Sequence, residues 1–353
     1  MKVYIYSEFQ KMIEKSGVGR AVYHQRQALA RQGIPCVTDK NEADIIHINT
    51  VFTGSYRMAK WARKNGKAVV YHAHSTREDF KHSYTGSNAL ANAFGYWIKK
   101  CYQKGDLIIT PSDYAKKLLK SYGINQPIEV MSNGIDLDYY KPNGDDRRTF
   151  CEKYGYHEDD KIIMAAGLWI ERKGILDFAA LAEQLPEYQF IWFGESNIHT
   201  IPGKIKTVIR KAQPNLKFAG YVSKEELRQA YGACDLFLFP SYEETEGIVV
   251  LEALAMKTPL LVRDIPVYDT WLSDDVNSYK AKNLQEFKAK LEQIVAVCPE
   301  NILKAGYQVA ENRCISRVGD QLLNIYREAL KISKYREPSQ LRQRYKYFIS
   351  LSK

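Results

Sequence analysis

The chain of 353 residues is 45% hydrophobic and 26% charged, with a formal net charge of +10; these are ordinary globular values over a length that suits two domains. No run approaches the ~18–20 apolar residues of a membrane-spanning helix, and the opening MKVYIYSEF is too short and polar for a leader and reads as a first strand. Six scattered cysteines without a CxxC pair argue against a disulfide framework or zinc site and fit a reducing cytosol.

In chain order, short runs rich in β-branched and aromatic residues alternate with helical patterns. Strands are predicted at 3–7, 44–49, 67–75 and 106–112, then at 161–167, 189–194, 216–220, 235–241 and 259–264. Helices are predicted at 19–32, 224–234 and 247–256. Apolar strands separated by helices imply parallel sheets covered on both faces. The polar stretch 141–161 breaks the series, which gives an α/β chain of two Rossmann-like doubly wound domains, 1–150 and 151–330. The tail, 331–353, is a helical pattern interrupted by Pro338 and is expected to pack back on the first domain.

Charge is distributed unevenly along this plan. Residues 1–150 carry a net +9, residues 151–330 a net −5 and the tail a net +6. A basic first half and tail attract phosphate-bearing partners: nucleic acid, anionic lipid or an anionic substrate. Composition does not choose among them.

The segment PSYEETEGIVVLEALAMKTPLLV (240–262) holds Glu244 and Glu252 with seven residues between them. A helix starting near Gly247 places Glu244 in the loop before it and Glu252 about 7–8 Å along its axis. Free N–H groups at such a helix start, with the helix dipole, favour a bound phosphate, and glycine at 247 lets backbone approach it. Carboxylates on either side accept hydrogen bonds from sugar hydroxyls. The arrangement suits a sugar, a diphosphate and a ribose in a row.

Flanked by PSY and LEALA, this string resembles the carboxy-terminal signature of glycosyltransferase family 4, retaining enzymes of the GT-B fold, whose two Rossmann-like domains face a cleft. KSGVGRAVYHQRQAL (15–29) resembles the family's first glycine loop and helix, SNGID (132–136) its interdomain loop, and AAGLWIERKGILDF (165–178) its basic phosphate-binding loop. YHAHSTREDFKHSYTGSN (71–88) with LIITPSDYAKKLL (107–119) is similar to the branch that glucosylates diacylglycerol, the 1,2-diacylglycerol 3-alpha-glucosyltransferases.

The resemblance implies roles for particular residues. Glu244 contacts donor-sugar hydroxyls, Glu252 the ribose, and the backbone of Gly247, Ile248 and Val249 the diphosphate. Gly17 and Gly19 turn their amides to the same group, and Asn133 lies in the interdomain loop beside the donor. Arg172 and Lys173 neutralise the leaving diphosphate, whose charge grows as the glycosidic bond breaks. The usual family arginine is replaced here by Leu168, so Arg172 is the candidate substitute. His72 and His74 end a strand, where such sheets hold ligands; His74 is favoured as the donor-sugar contact, with His72 as the alternative. Asp136 and Asp138 form a DxD string in the interdomain loop, where the family uses the aspartate structurally, so no metal and no cofactor are expected.

The implied reaction moves glucose from UDP-glucose to the hydroxyl of diacylglycerol with retention, making alpha-monoglucosyldiacylglycerol. Such an enzyme docks peripherally on the inner face of the cell membrane. SYRMAKWARKNGK (55–67), with Trp61, Arg63 and Lys64, and ANAFGYWIKKCYQKG (91–105), with Phe94, Trp97, Lys99 and Lys100, have the aromatic-and-lysine composition of interfacial helices. The other reading of those aromatics is that they face the core. Rival functions are a family 4 transferase with a soluble or polysaccharide acceptor, a nucleotide-sugar epimerase, and a non-catalytic basic protein binding membrane or nucleic acid. The charge alone supports the last, without any nucleic-acid-binding signature. The oligomeric state is not legible.

Overall fold

The computed structural model describes residues 1–14 and 16–336; most of the tail, with Pro338, lies outside the described residues. Each predicted strand forms, since its apolar side chains are covered from both faces of a sheet. β1 (Val3–Tyr6), β2 (Ile45–Ile48), β3 (Ala68–His72), β4 (Leu107–Thr110) and β5 (Ile128–Val130) make one parallel sheet in that order. A parallel bridge from Val3 to Cys36 extends it beyond β1. The chain therefore steps outward from β1 to Cys36 and returns to β2, so its winding reverses between β1 and β2.

The second sheet holds β6 (Ile162–Ala166), β7 (Gln189–Phe193), β8 (Leu216–Gly220), β9 (Leu236–Phe239), β10 (Leu260–Arg263) and β11 (Tyr279–Ala281), ordered β11-β10-β9-β6-β7-β8. All pairs named are parallel, and the winding reverses between β6 and β9. At each reversal the loops beyond the strand ends part toward opposite faces and leave a crevice, the usual ligand position in doubly wound sheets. Alternate residues of β6 feed opposite cores: Ile162, Met164 and Ala166 pack with Tyr231 and Leu251, while Ile163 and Ala165 pack with Ile175 and Ile201.

The chain exchanges between the two units earlier than the sequence suggests at both ends of the second. A helix, Asp146–Tyr154, forms inside the polar stretch and belongs to the second unit, where Asp146 accepts two hydrogen bonds from Arg228 and Arg147 reaches Asp235. The return to the first unit begins at 315 rather than 331. The helix Ile315–Lys334 turns Val318, Leu322, Ile325, Tyr326 and Ala329 into the first unit's core. Gly319 permits this approach, because a Cβ there would lie 2.9 Å from Ala28 O of the helix Gly17–Arg31. At its end Arg336 grips Asp106.

Candidate active site

The loop after β6 and the loop after β9 meet at the second reversal. Gly174 (φ +76°) makes the contact possible: a Cβ would sit 2.3 Å from Pro240 O. The Arg172 carbonyl accepts from Tyr242 N (2.8 Å) and Ser241 Oγ (3.2 Å), which stitches the two loops together. This fixes Arg172 and Lys173, on the single turn Glu171–Lys173, against Glu244.

Glu244 accepts hydrogen bonds from Lys173 Nζ and Ser241 Oγ (2.6 Å), and its Oε1 lies 3.7 Å from Arg172 Nη1. Burial would raise this carboxyl, but the Lys173 and Arg172 charges outweigh it and hold the group below its usual value. Burial pushes the Lys173 ammonium down against the pull of Glu244. Arg172 is buried and also pairs across the cleft with Asp79 Oδ1 (2.9 Å); its Nε donates to Ser83 Oγ (3.2 Å) and its Nη1 to Glu243 O (2.6 Å). Burial favours a neutral guanidinium there, yet Asp79 and Glu244 raise its affinity for the proton overall. The result is two fixed cations held on carboxylates at the crevice.

Gly247 follows in the left-handed region (φ +89°) and opens the helix Ile248–Ala255. Its position needs glycine for that conformation. Glu252 is one turn inside, 1% exposed, and its oxygens accept from Tyr140 Oη (2.6 Å) and Tyr231 Oη (3.1 Å), with Arg20 Nη1 at 3.6 Å. Asn133 fastens the interdomain loop: its N–H and Nδ2 donate to Glu246 Oε2 (2.9 and 2.7 Å). Burial raises the Glu246 carboxyl in turn. Asp136 and Asp138 both meet Arg31 Nη2 (3.3 and 2.9 Å). Among the described residues no three His, Cys, Asp or Glu side chains gather as a metal site.

Apart from Asp79 and Arg20, the first unit faces this site with neutral polar groups. His47, His72 and His74 stack, with centroids 5.6 Å apart for His47–His72 and 4.0 Å for His72–His74. Gln25 Nε2 donates to His72 Nδ1 (2.8 Å) and to Asn49 Oδ1 (2.8 Å), and His74 Nε2 meets the same Asn49 oxygen at 2.9 Å. An amide nitrogen only donates and an amide oxygen only accepts, so the network puts the His74 proton on Nε2 and leaves His72 Nδ1 bare. Burial lowers all three rings, His47 and His74 to about 3. His74 is at the cleft, where its carbonyl accepts from Thr245 Oγ1 (3.5 Å) of the second unit. His72 is fully buried, in the stack between His47 and His74.

Gly17 starts its helix, with open space where a Cβ would be, whereas Gly19 has a packing role. A Cβ at 19 would lie 2.4 Å from Ile13 O, so glycine there admits the backbone of the short helix Gln10–Ile13. The Gly19 amide itself points to the Ser16 Oγ cap (3.4 Å).

Several expected membrane residues turn inward. Trp97 Nε1 donates to Val51 O, Phe94 stacks on Phe80 (4.2 Å), Lys40 covers Trp61 (4.4 Å), and Arg63 pairs with Asp106 (3.1 Å). Lys99 is half-buried, while Lys64 and Lys100 are exposed. The helical period puts Trp61, Phe94 and Trp97 on the core face and leaves other residues outside. On Thr53–Lys64 these are Arg57, Lys60 and Lys64; on Ser87–Tyr102 they are Leu90, Ala93, Tyr96 and Lys100. The two helices touch through Tyr56 and Trp97, 5.6 Å between rings.

Sequence reasoning missed Asp79, Glu246, Asn49, Gln25 and Tyr140. Only Asp79 carried a local signal: Thr76 caps its N–H (3.0 Å), so T-x-x-D marked a helix start. The others act across more than 20 residues of sequence.

The family description Glycosyltransferase Family 4 matches residues 36–139, and Glycosyl transferases group 1 matches residues 146–300. A processive diacylglycerol alpha-glucosyltransferase of Acholeplasma laidlawii is 38% identical over 95% of this chain and 100% of its own length. An alpha-monoglucosyldiacylglycerol synthase of the same organism is 25% identical over 67% of this chain and 63% of its own. Among solved structures, Anabaena HepE in complex with UDP and glucose superposes with a TM-score of 0.73 at 17% identity, covering 92% of this chain and 98% of its own. A Thermosynechococcus elongatus sucrose-phosphate synthase gives 0.70 at 18% identity over 92% and 80%.

Proposed function

The chain belongs to glycosyltransferase family 4 and has its GT-B fold, and from that premise we propose that it moves glucose from UDP-glucose to the hydroxyl of diacylglycerol, with retention, at an anionic membrane surface. The observation that carries this is the arrangement of Lys173, Arg172 and Glu244 at the second reversal, beside the helix start at Gly247.

The nucleoside lies toward Glu252, the diphosphate over Gly247, Ile248 and Val249, and the sugar against Glu244 and His74. As the donor enters, its phosphates take Lys173 and Arg172 from Glu244, and the freed carboxylate accepts from sugar hydroxyls. The C1–O bond to the β-phosphate then breaks and a C1–O bond to the acceptor hydroxyl forms on the same face. The acceptor's proton passes to an oxygen of the departing diphosphate. Lys173 and Arg172 stabilise the negative charge that grows there, and they are already oriented in a buried site. His74 is neutral, so it offers its polar edge to the sugar without adding charge.

No described helix is long and apolar enough to cross a membrane, so a lipid acceptor is met at the surface. The docking face is the pair of exposed stripes: Arg57, Lys60 and Lys64 beside Leu90, Ala93, Tyr96 and Lys100, rather than the inward Trp61, Phe94 and Trp97. Basic residues near an anionic surface contribute about 1 kcal/mol each, weakened by salt. Given the processive relative, the first product is itself a candidate acceptor, and the product is a mono- or a diglucosyl lipid.

The test is transfer of label from UDP-[14C]glucose into organic-extractable lipid, using vesicles of diacylglycerol with phosphatidylglycerol. Label in a glucosyl lipid that depends on phosphatidylglycerol is the expected result. Label confined to water-soluble product removes the lipid acceptor and leaves the transferase.

A further inference from the structure

Where the first sheet reverses its winding, the loops after β1 and β2 part, and both carry large apolar side chains into solvent. Phe9, Met12 and Phe52 are 57%, 65% and 37% exposed, and the rings of Phe9 and Phe52 meet edge to face at 5.2 Å. We propose that these three side chains are an insertion tip that enters the acyl layer of an anionic bilayer and seats the mouth of the first crevice on it, an inference that rests on the lipid acceptor proposed above. The basic stripes hold the protein by charge. The tip adds an apolar component, which salt does not screen.

The backbone is built to display these residues. Phe9 adopts φ +56°, a left-handed conformation that costs a bulky side chain energy and persists only where the surroundings enforce it. Glu8 enforces it on one side. Its N–H donates to Thr50 Oγ1 (3.0 Å), and its carboxylate accepts from Ser55 N–H (2.9 Å) at the start of the helix Thr53–Lys64. Gly54 leaves room there, since a Cβ would lie 2.7 Å from that carboxylate. On the other side the turn Gln10–Ile13 closes back on Phe9, whose carbonyl accepts from Met12 N–H (2.8 Å) and Ile13 N–H (3.1 Å). Ile13 O in turn accepts from Ser16 N–H (2.8 Å) and Ser16 Oγ (2.6 Å), in the space that Gly19 leaves open. A loop fixed at both ends loses little freedom when its outward side chains are buried by a partner.

The surroundings of the tip name a bilayer as that partner. Lys11 lies exposed between Phe9 and Met12. After Phe52 the exposed residues Thr53, Arg57, Lys60 and Lys64 follow at spacings of four, three and four, so one basic face runs on from the tip. Aromatic and apolar side chains flanked by lysine and arginine are the composition that seats between headgroups and acyl chains. A second copy of the chain fits poorly, because a standard protein interface takes roughly 20–30 residues a side.

The tip also stands beside the group expected to meet the sugar. Phe52 is three residues past Asn49, at most about 11 Å of chain, and Asn49 Oδ1 meets His74 Nε2 at 2.9 Å. A diacylglycerol whose acyl chains remain in the layer under Phe9 and Phe52 has only a distance of that order to raise its hydroxyl toward the crevice.

The test uses the full chain with three substitutions that suit their backbone. Phe9→Asn accepts the left-handed conformation, Phe52→Ser supplies the side-chain cap that Phe52 lacks, and Met12→Gln lies exposed on a short turn, so folding is not at issue. Flotation measures partition onto vesicles of phosphatidylglycerol, phosphatidylcholine and diacylglycerol in about 0.5 M NaCl, where the stripes are screened. There the triple variant should partition about 10-fold or more weaker than wild type, with calorimetric UDP-glucose binding unchanged. Transfer of label to diacylglycerol in the vesicles should fall with partition, while transfer to a short-chain diacylglycerol dissolved in water is kept. Partition that does not move at high salt overturns the tip. So does an equal loss on the dissolved acceptor, which marks an acyl-chain groove, or a wild-type dimer in light scattering that the variant lacks. If wild type partitions through the tip and yet labels neither lipid, the acceptor reading falls alone.

Discussion

Both sheets reverse their winding once, and each reversal gathers polar side chains, but the two gatherings differ in charge. The second sheet collects Arg172, Lys173 and Glu244, ionised and paired. The first collects Gln25, Asn49 and three stacked histidines, which burial keeps neutral. The same topology therefore yields an electrostatic half and a neutral half. A transferase whose leaving group is a diphosphate needs fixed cations where that charge appears and no competing charge where a neutral sugar sits.

The widest break in this comparison comes from the charged half. Lys173→Ala should lower kcat by 10²–10³-fold, the scale of losing one preorganised charge at a developing anion. The fold should survive, because Glu244 keeps Ser241 Oγ and Arg172 as partners; circular dichroism and a melting curve check that. Turnover within tenfold of wild type would mean that the charge of this half is structural.

The neutral half predicts a pH effect on stability. A histidine with an ordinary value near 6.5 when unfolded, and about 3 when folded, resists protonation only in the folded state. The unfolded chain thus binds more protons between those values, and stability, complete above pH 6.5, falls as pH drops toward 3. From pH 7 to 5.5 each such group removes about 1 kcal/mol. His24, lowered to about 4 by burial, with Arg20 and Lys224 adding to it, contributes in the same direction. Urea midpoints at pH 7 and 5.5 measure the sum, and His47→Gln should reduce the slope. A midpoint unchanged at pH 5.5 would show that the column charges freely, and the contrast between the halves would go.

The sequence exposed the charged half better than the neutral one, for physical reasons. Lys173 and Glu244 sit in local strings whose glycines and flanking residues are themselves required by backbone geometry, at Gly174 and Gly247. Gln25 is an ordinary residue on the helix Gly17–Arg31, and His47 and Asn49 lie on and just after β2; only the packing of that helix on the sheet and the pairing of β2 with β3 bring them to His72 and His74. Strand centres were equally legible, since a buried parallel strand must be apolar throughout. β5 and β11, three residues each, are too short to leave a pattern. The helix Asp146–Tyr154 hid in a charged run because its polar groups are used in pairs, Asp146 on Arg228 and Arg147 on Asp235, rather than left to solvent.

Charge crosses between the halves at Arg20, which reaches Glu252, and at Asp79, and the second gives the finest test. Asp79 belongs to the first unit but pairs with Arg172 of the second at 2.9 Å. Burial raises its carboxyl, against which the Arg172 charge pulls the other way. On the proposed donor position, a diphosphate competes with it for the same guanidinium. In Asp79→Asn the amide can hold Arg172 by a hydrogen bond, and Glu243 O, Ser83 Oγ and Glu244 remain, so the cation is not stranded. With the competing charge gone, KM for the donor should fall a few-fold, about 1 kcal/mol or less, the modest scale of a pair whose aspartate is partly exposed. Steady-state kinetics in the donor reads this directly. A KM that rises instead would make Asp79 the residue that aims Arg172. The first unit would then supply a working carboxylate beside the Arg20 charge at Glu252, and the division between the halves would have to be redrawn through Arg172 rather than between the sheets.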